Sequence, residues 1–171
     1  PNCGLLFGSK DAIEQVKSTA TFALSEVNRV TFGAIAKTLE LYDDPDTALS
    51  SIPVLRALSL SIANLESRAK RLAAILETCN RVQIARVVEG RSLLCANASF
   101  GSSPTRLIEL RPRGASPAEL AAFLEKSSPR LLARWTRDTL LLDLRTLPPE
   151  LDTVVAEIFE KLTPILESPE A

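Results

Sequence analysis

The sequence has 171 residues, 46% of them hydrophobic, and 20 Lys and Arg stand against 21 Asp and Glu for a net charge of -1. That length supports one compact core, or one domain and part of another, and near-neutrality argues against a broad electrostatic nucleic-acid footprint. There is no histidine, which excludes Ser-His-Asp and Cys-His nucleophile chemistry, and no apolar run approaches the roughly 18 to 20 residues of a membrane span.

The opening segment, Pro1-Asn2-Cys3-Gly4-Leu5-Leu6-Phe7-Gly8, lacks the basic flank and long apolar core of a signal peptide, and Pro1 reads as a cut end. Within it, Cys3 to Phe7 is a short apolar run between turn residues, the pattern of a buried strand. Ser9 is placed to cap a helix from about Lys10 to Ser18. A second helix is expected from Asn28, where Phe32, Ile35, Leu39 and Tyr42 recur at intervals of three and four, and Asp43-Asp44-Pro45-Asp46 ends it. A short helical piece over Val54 to Leu60 follows Ser51-Ile52-Pro53. Leu65, Ala69, Leu72 and Leu76 then mark a helix of about four turns.

The pattern changes after Asn80. Val82 to Val88, Leu93 to Ala98 and Arg106 to Leu110 read as strands, with a turn at Arg111 to Ala115. Ser116-Pro117-Ala118-Glu119 is a capping box with proline at the first helical position, opening a helix to about Lys126. Leu131 to Thr136 and Leu140 to Arg145 form a hairpin pattern in which Leu140, Leu142 and Leu144 share one face. A last amphipathic helix carries Leu151, Val154, Val155, Ile158, Phe159, Leu162 and Ile165. From residue 82 this order implies an antiparallel sheet with helices on one face, an α+β domain. Cys3, Cys79 and Cys95 are odd in number and far apart, so they fit reduced thiols of a cytoplasmic protein rather than a zinc or CxxC site.

Several segments resemble the bacterial L-seryl-tRNA(Sec) selenium transferase family, in the same order along the chain. Pro1 to Lys10 resembles that family's GPQAGIIVGxK; Thr31 to Tyr42, TFGAIAKTLELY, resembles its LTLAALEATLRLY helix. Ile52 to Leu58, IPVLRAL, is similar to IPVLRML; Arg68 to Leu72, RAKRL, to RAERL; and LLLDLRT, ending at Thr146, to the family's LLLDLRTV. The resemblance implies a pyridoxal 5'-phosphate (PLP) enzyme of the aspartate-aminotransferase fold, fold type I. Residues 1–25 would then be the last strand and helix of the large PLP-binding domain, 26–59 interdomain linking helices, and 60–171 the small C-terminal α+β domain. The partners it implies are the rest of the PLP-binding domain, further copies in a homo-oligomer, and seryl-tRNA(Sec), with no membrane.

The family's Schiff-base lysine lies in a GDKLLGG motif that the resemblance places upstream of Pro1, so PLP is not expected to be held covalently by any of the six lysines here. On the same resemblance, Arg134 and Arg145 are candidates for binding substrate, and Asn2 and Cys3 for lying near the PLP phosphate. Two departures bear on the selenium donor. The arginines of the family's RALRVDK segment fall at Ala23 and Glu26 in an ungapped register, or at Phe22 and Ser25 with a one-residue shift, and its GGGS turn at Cys95-Ala96-Asn97-Ala98. A carboxylate repels the anion that guanidinium would bind. A PLP lyase or transferase acting on a small amino acid without tRNA, and a non-catalytic interaction domain, remain as alternatives.

Overall fold

A computed structural model describes residues 3–92 and 102–162. The chain divides into two units, Pro1–Arg56 and Ala57–Ala171.

The first unit is helical. α1 (Lys10–Lys17) starts where Ser9 accepts a hydrogen bond from the Ala12 amide, and α2 (Ala20–Ser25) starts on Thr19 in the same way. α3 (Arg29–Glu40) is capped by Asn28 and closes in a single 3-10 turn, Leu41–Asp43. The Asp43–Asp46 stretch ends this helix, but it also begins another. Asp44 caps α4 (Pro45–Ser51), with Pro45 where a missing amide costs nothing. α5 (Pro53–Ser59) follows and crosses the boundary between the units.

One expectation fails in this unit, and one element was not foreseen. Cys3 to Phe7 forms no strand: the backbone has no ladder partner there, and Phe7 is 86% exposed. An apolar run becomes a buried strand only where a neighbouring strand takes its amides and carbonyls. The helix α2 was also not anticipated. The stripe on α3 is real but uncovered, with Phe32 67% exposed and Leu39 and Tyr42 about half so. Among the described residues of this unit only Ala48 and Ile52 are buried, so it has no core of its own.

The second unit is the α+β domain. α6 (Ile62–Glu77), capped by Ser61, buries Leu65, Ala69, Leu72, Ala73 and Leu76 along one stripe. β1 (Val82–Arg91), β2 (Pro104–Pro112), β3 (Arg134–Trp135) and β4 (Leu140–Asp143) form an antiparallel sheet in the order β1-β2-β4-β3. The capping box forms at Ser116 and Glu119 and opens α7 (Pro117–Lys126). α8 (Asp152–Glu160) closes the described chain after a 3-10 turn at Pro149–Leu151. One core joins α6, α7 and α8 to the sheet residues Val82, Ala85, Ile108, Leu110, Leu140 and Leu142, so the helices cover one face. The expected strand at Leu93 to Ala98 and the end of the last helix, including Ile165, lie outside the described residues.

The other face carries a close approach. A Cβ on Gly90 would come within 2.4 Å of Leu107 Cδ1 and 2.9 Å of its Cγ. Glycine here lets Leu107, which is buried but not part of the helix-side core, lie against the β1 backbone. No helix among the described residues is long and apolar enough to cross a membrane.

Candidate functional site

Arginines organise the second unit. Arg68 of α6 is only 6% exposed, and all five of its N–H groups are engaged. Nε donates to Asp152 Oδ2 at 2.7 Å and Nη2 to Asp152 Oδ1 at 2.5 Å. Nη1 donates to the Leu144 and Leu147 carbonyls at 2.9 and 2.7 Å, and Nη2 to Pro148 at 3.0 Å. One side chain thus ties α6 to the start of α8 and to the turn that follows β4.

Arg145, a candidate substrate ligand, sits in that same turn and is 5% exposed. Alternation alone would put it on the face opposite Leu144. The chain instead turns after Asp143, and the guanidinium points into backbone. Nη1 donates to the carbonyls of Ala57, Leu58 and Leu60 at 2.8, 3.1 and 3.1 Å, and Nε and Nη2 both donate to Pro104 at 3.0 and 2.7 Å. Asp143 accepts the Arg145 amide at 3.1 Å and the Thr105 hydroxyl at 2.7 Å.

Arg134, the other candidate, lies on β3 at the sheet edge. It pairs in register with Leu141, which pairs with Glu109. Among the described residues its side chain makes one bond, from Nη2 to the Arg91 carbonyl at 3.3 Å, and pairs with neither Asp138 nor Asp143. Among the described residues, Arg134 and Arg145 therefore do not converge on a common partner, and of the two only Arg134 keeps donors uncommitted. Trp135 beside it is 56% exposed. Arg106 on β2 bridges Glu66 of α6 and Glu89 of β1, both at 3.0 Å. Its hydrogen bond, after that from Lys70, helps hold the Glu66 carboxyl below its ordinary value.

In the first unit, Ala23 and Glu26 are both exposed, at the end of α2 and just beyond it. Cys3 is exposed in irregular backbone, and Asn2 lies outside the described residues. Burial, and secondarily the Glu160 charge, push the Cys79 thiol up. Among the described residues no cluster of His, Cys, Asp or Glu could hold a metal ion. A depression of about 380 Å³ in the second unit, bordered by Leu131, Leu142, Leu147, Leu151 and Val155, contains no lysine. All six lysines are exposed, and Lys17, Lys37 and Lys70 each pair with a carboxylate one turn away. The described residues therefore do not by themselves fit PLP, which needs an enclosed amine.

Sequence reasoning missed Arg68 and the role of Arg145. The available signal was the set of matching segments itself: IPVLRAL, RAKRL and LLLDLRT contain Ala57 and Leu58, Arg68, and Leu144 and Arg145, which bond to one another across the fold.

A small α+β domain, one antiparallel sheet backed by helices and braced by buried arginines, preceded by a helical unit without a core, is the class that fold and site define. Residues 1–148 match the L-seryl-tRNA selenium transferase family (SelA), and the chain belongs to that family. It is 34% identical over 151 residues to the L-seryl-tRNA(Sec) selenium transferase of Nitratidesulfovibrio vulgaris, covering 86% of this chain and 32% of that protein. The enzyme of the same name from Alkaliphilus oremlandii is 28% identical over 167 residues, 95% of this chain and 35% of the relative. That of Moorella thermoacetica is 32% identical over 154 residues, 87% of this chain and 32% of the relative. The chain thus spans about a third of the length of the curated relatives it matches.

Proposed function

We propose that this chain is the C-terminal part of a PLP-dependent, L-seryl-tRNA(Sec) selenium transferase-like enzyme of fold type I, working in selenocysteine biosynthesis in the cytoplasm. The observation that carries this reading is the collinear family match over residues 1–148. In this reading residues 1–25 complete the large PLP-binding domain, 26–59 link the domains, and the α+β unit is the small domain. The exposed apolar residues Leu24, Val30, Phe32 and Leu39 support it, because helices with such faces need a partner that the first unit lacks. The rest of the PLP-binding domain and further copies in a homo-oligomer are the partners we propose for them.

PLP, when bound to the whole enzyme, would activate the serine; the lysine that holds it belongs to the other two-thirds of the family's chain. This chain contributes binding and positioning. Arg134 is the guanidinium available to substrate. Seryl-tRNA carries its serine as an ester, without a free carboxylate, so the anion Arg134 meets is a phosphate. Arg145, with its donors on backbone, shapes the domain rather than touching substrate. The family resemblance would bring Asn2 and Cys3 near the PLP phosphate in the whole enzyme. With Ala23 and Glu26 in place of two arginines, selenophosphate is a poor donor for this enzyme. Losing one charge-assisted contact costs on the order of 1.5 to 3 kcal/mol, roughly ten- to hundredfold in binding.

The test is made on the whole polypeptide that contains this sequence. After PLP loading and borohydride reduction, the modified lysine should map outside these 171 residues. Stoichiometric labelling of Lys10, Lys37 or any other lysine here would overturn the reading. For the donor, selenium transfer by the unmodified enzyme should be weak and should rise in an Ala23→Arg, Glu26→Arg double variant.

A further inference from the structure

Four guanidinia of the second unit make no hydrogen bond or ion pair among the described residues: those of Arg71, Arg111, Arg113 and Arg137. Arg71 lies on α6 beside Pro149, and the other three gather at one end of the sheet. The strand register brings them there. Leu110 of β2 pairs with Leu140 of β4, which pairs with Trp135 of β3. One residue further along, Arg111 is level with Thr139 and Thr136. Those threonines close the turn that carries Arg137, the Thr136 amide donating to the Thr139 carbonyl at 2.8 Å. Arg111 and Thr139 border a common depression of about 190 Å³. Arg113 joins them past the end of β2, its amide on the Arg81 carbonyl at 2.8 Å. With strands about 4.8 Å apart, Arg111 and the β3 side of the turn stand about 10 Å from each other across the sheet.

All three side chains are exposed. Glu109 is taken by Arg86 and Glu119 by the Ser116 cap, and Asp138 in the turn sets one charge against three. A guanidinium fork matches a phosphate, and three forks spread over about 10 Å suit successive phosphates of a flexible chain better than one small anion. Trp135, two residues before Arg137, adds a second kind of contact. It is 56% exposed on the edge strand, and pairing with buried Leu140 sets it on the helix side of that edge, with Arg134 on the other. An exposed aromatic ring beside cationic forks suits a single-stranded nucleic acid, whose bases stack while its phosphates are held.

We infer that the end of the sheet formed by Arg111, Arg113, Arg137 and Trp135 is a binding surface for single-stranded RNA, the arginines taking successive phosphates and Trp135 a base. Naming RNA rather than DNA rests on the activity proposed above; the surface itself rests on the arginines and the indole. It is separate from the phosphate contact assigned to Arg134, whose guanidinium reaches the Arg91 carbonyl at the far end of β1 and not the turn.

The test is binding of the full chain to an end-labelled oligouridylate of about twelve nucleotides, followed by anisotropy between about 50 and 200 mM salt. Three phosphate contacts predict a log-log slope of affinity against salt of about -2, at about -0.7 per contact on a single strand. Unlabelled RNA should quench Trp135, the single tryptophan. An Arg111→Gln, Arg113→Gln double variant should bind more weakly and lose about 1.4 from the slope. Trp135→Leu should weaken binding at least about fivefold and leave the slope alone, a split that a merely structural role would not produce. Arg71→Gln should change neither. No binding at the lowest salt, an Arg71→Gln loss equal to that of the double variant, or competition by an oligoglutamate as effective as by RNA would overturn the surface. Should Trp135→Leu fail to fold, as read by circular dichroism, quenching in the unmodified chain decides the stacking. None of these measurements needs PLP. A chain that ignores RNA, beside a whole polypeptide that still eliminates from seryl-tRNA(Sec), sinks this surface and leaves the proposed activity standing.

Discussion

Replacing Arg68 with methionine should destabilise the α+β unit by about 3 to 5 kcal/mol, the range for breaking a buried ion pair by removing one partner. The structure supports that range. The side chain is 6% exposed and donates five hydrogen bonds, while methionine keeps the apolar volume and none of the donors. The Leu144 carbonyl, bonded in a buried setting, would lose the Arg68 donor, as would that of Leu147 and a carboxylate, Asp152, that is 29% exposed, whereas the Pro148 carbonyl would keep the Leu151 amide. Because Asp152 can still reach water, Asp152→Asn should cost less than Arg68→Met, on the order of 1 to 2 kcal/mol. The assay is urea unfolding followed by fluorescence of Trp135, the single tryptophan, which reports on this unit alone. The two single variants and the double variant form a cycle in which the combined loss should fall short of the sum. An Arg68→Met loss below about 1 kcal/mol, or strict additivity with Asp152→Asn, would refute the brace; the first figure is what an exposed pair contributes.

Three further outcomes are expected. Gly90→Ala should cost about 1 to 3 kcal/mol by overpacking against Leu107, and Leu107→Ala in the same chain should recover part of it, both read by the same unfolding curve. Ser116→Ala should cost about 0.5 to 2 kcal/mol by removing the α7 cap. The Ser116 amide and hydroxyl also hold the Glu119 carboxyl below its ordinary 4.5, so this contribution is complete at neutral pH and lost as pH falls below that value; circular dichroism on acidification should show α7 loosening there in the parent and less pH dependence in Ser116→Ala. A thiol reagent at neutral pH should modify exposed Cys3 quickly and buried Cys79 slowly, with Cys79 catching up in denaturant; equal rates in the folded chain would contradict the α6 packing.

Features set by near neighbours were legible in the sequence. Ser9, Asn28 and Ser116 announce their helices because a cap acts over three residues. Leu140 and Leu142 reveal the buried face of β4 because alternation is local. Partners far away in sequence were not legible. Arg68 and Arg145 look like surface residues, one on a charged helix and one opposite a row of leucines. Their partners lie 76 to 88 residues away for the Arg68 contacts to the turn and the Arg145 contacts to α5. Asp143 takes the Arg145 backbone amide and not its guanidinium, since the turn after it redirects that side chain. The Cys3 to Phe7 run carries the composition of a strand, yet a strand is defined by its neighbour, which these residues do not have. The candidate site was legible only as far as Arg134, which has no strong partner among the described residues and for which no pattern of spacing names a ligand.

The most direct test of the central claim uses the whole polypeptide, loaded with PLP and offered seryl-tRNA(Sec) and free serine in parallel. Loss of the seryl hydroxyl is followed by mass spectrometry of the aminoacyl group. The account predicts elimination from seryl-tRNA(Sec), none from free serine, and a marked loss in Arg134→Gln with folding intact. Elimination from free serine alone, or from neither substrate by a folded, PLP-loaded protein, would contradict it.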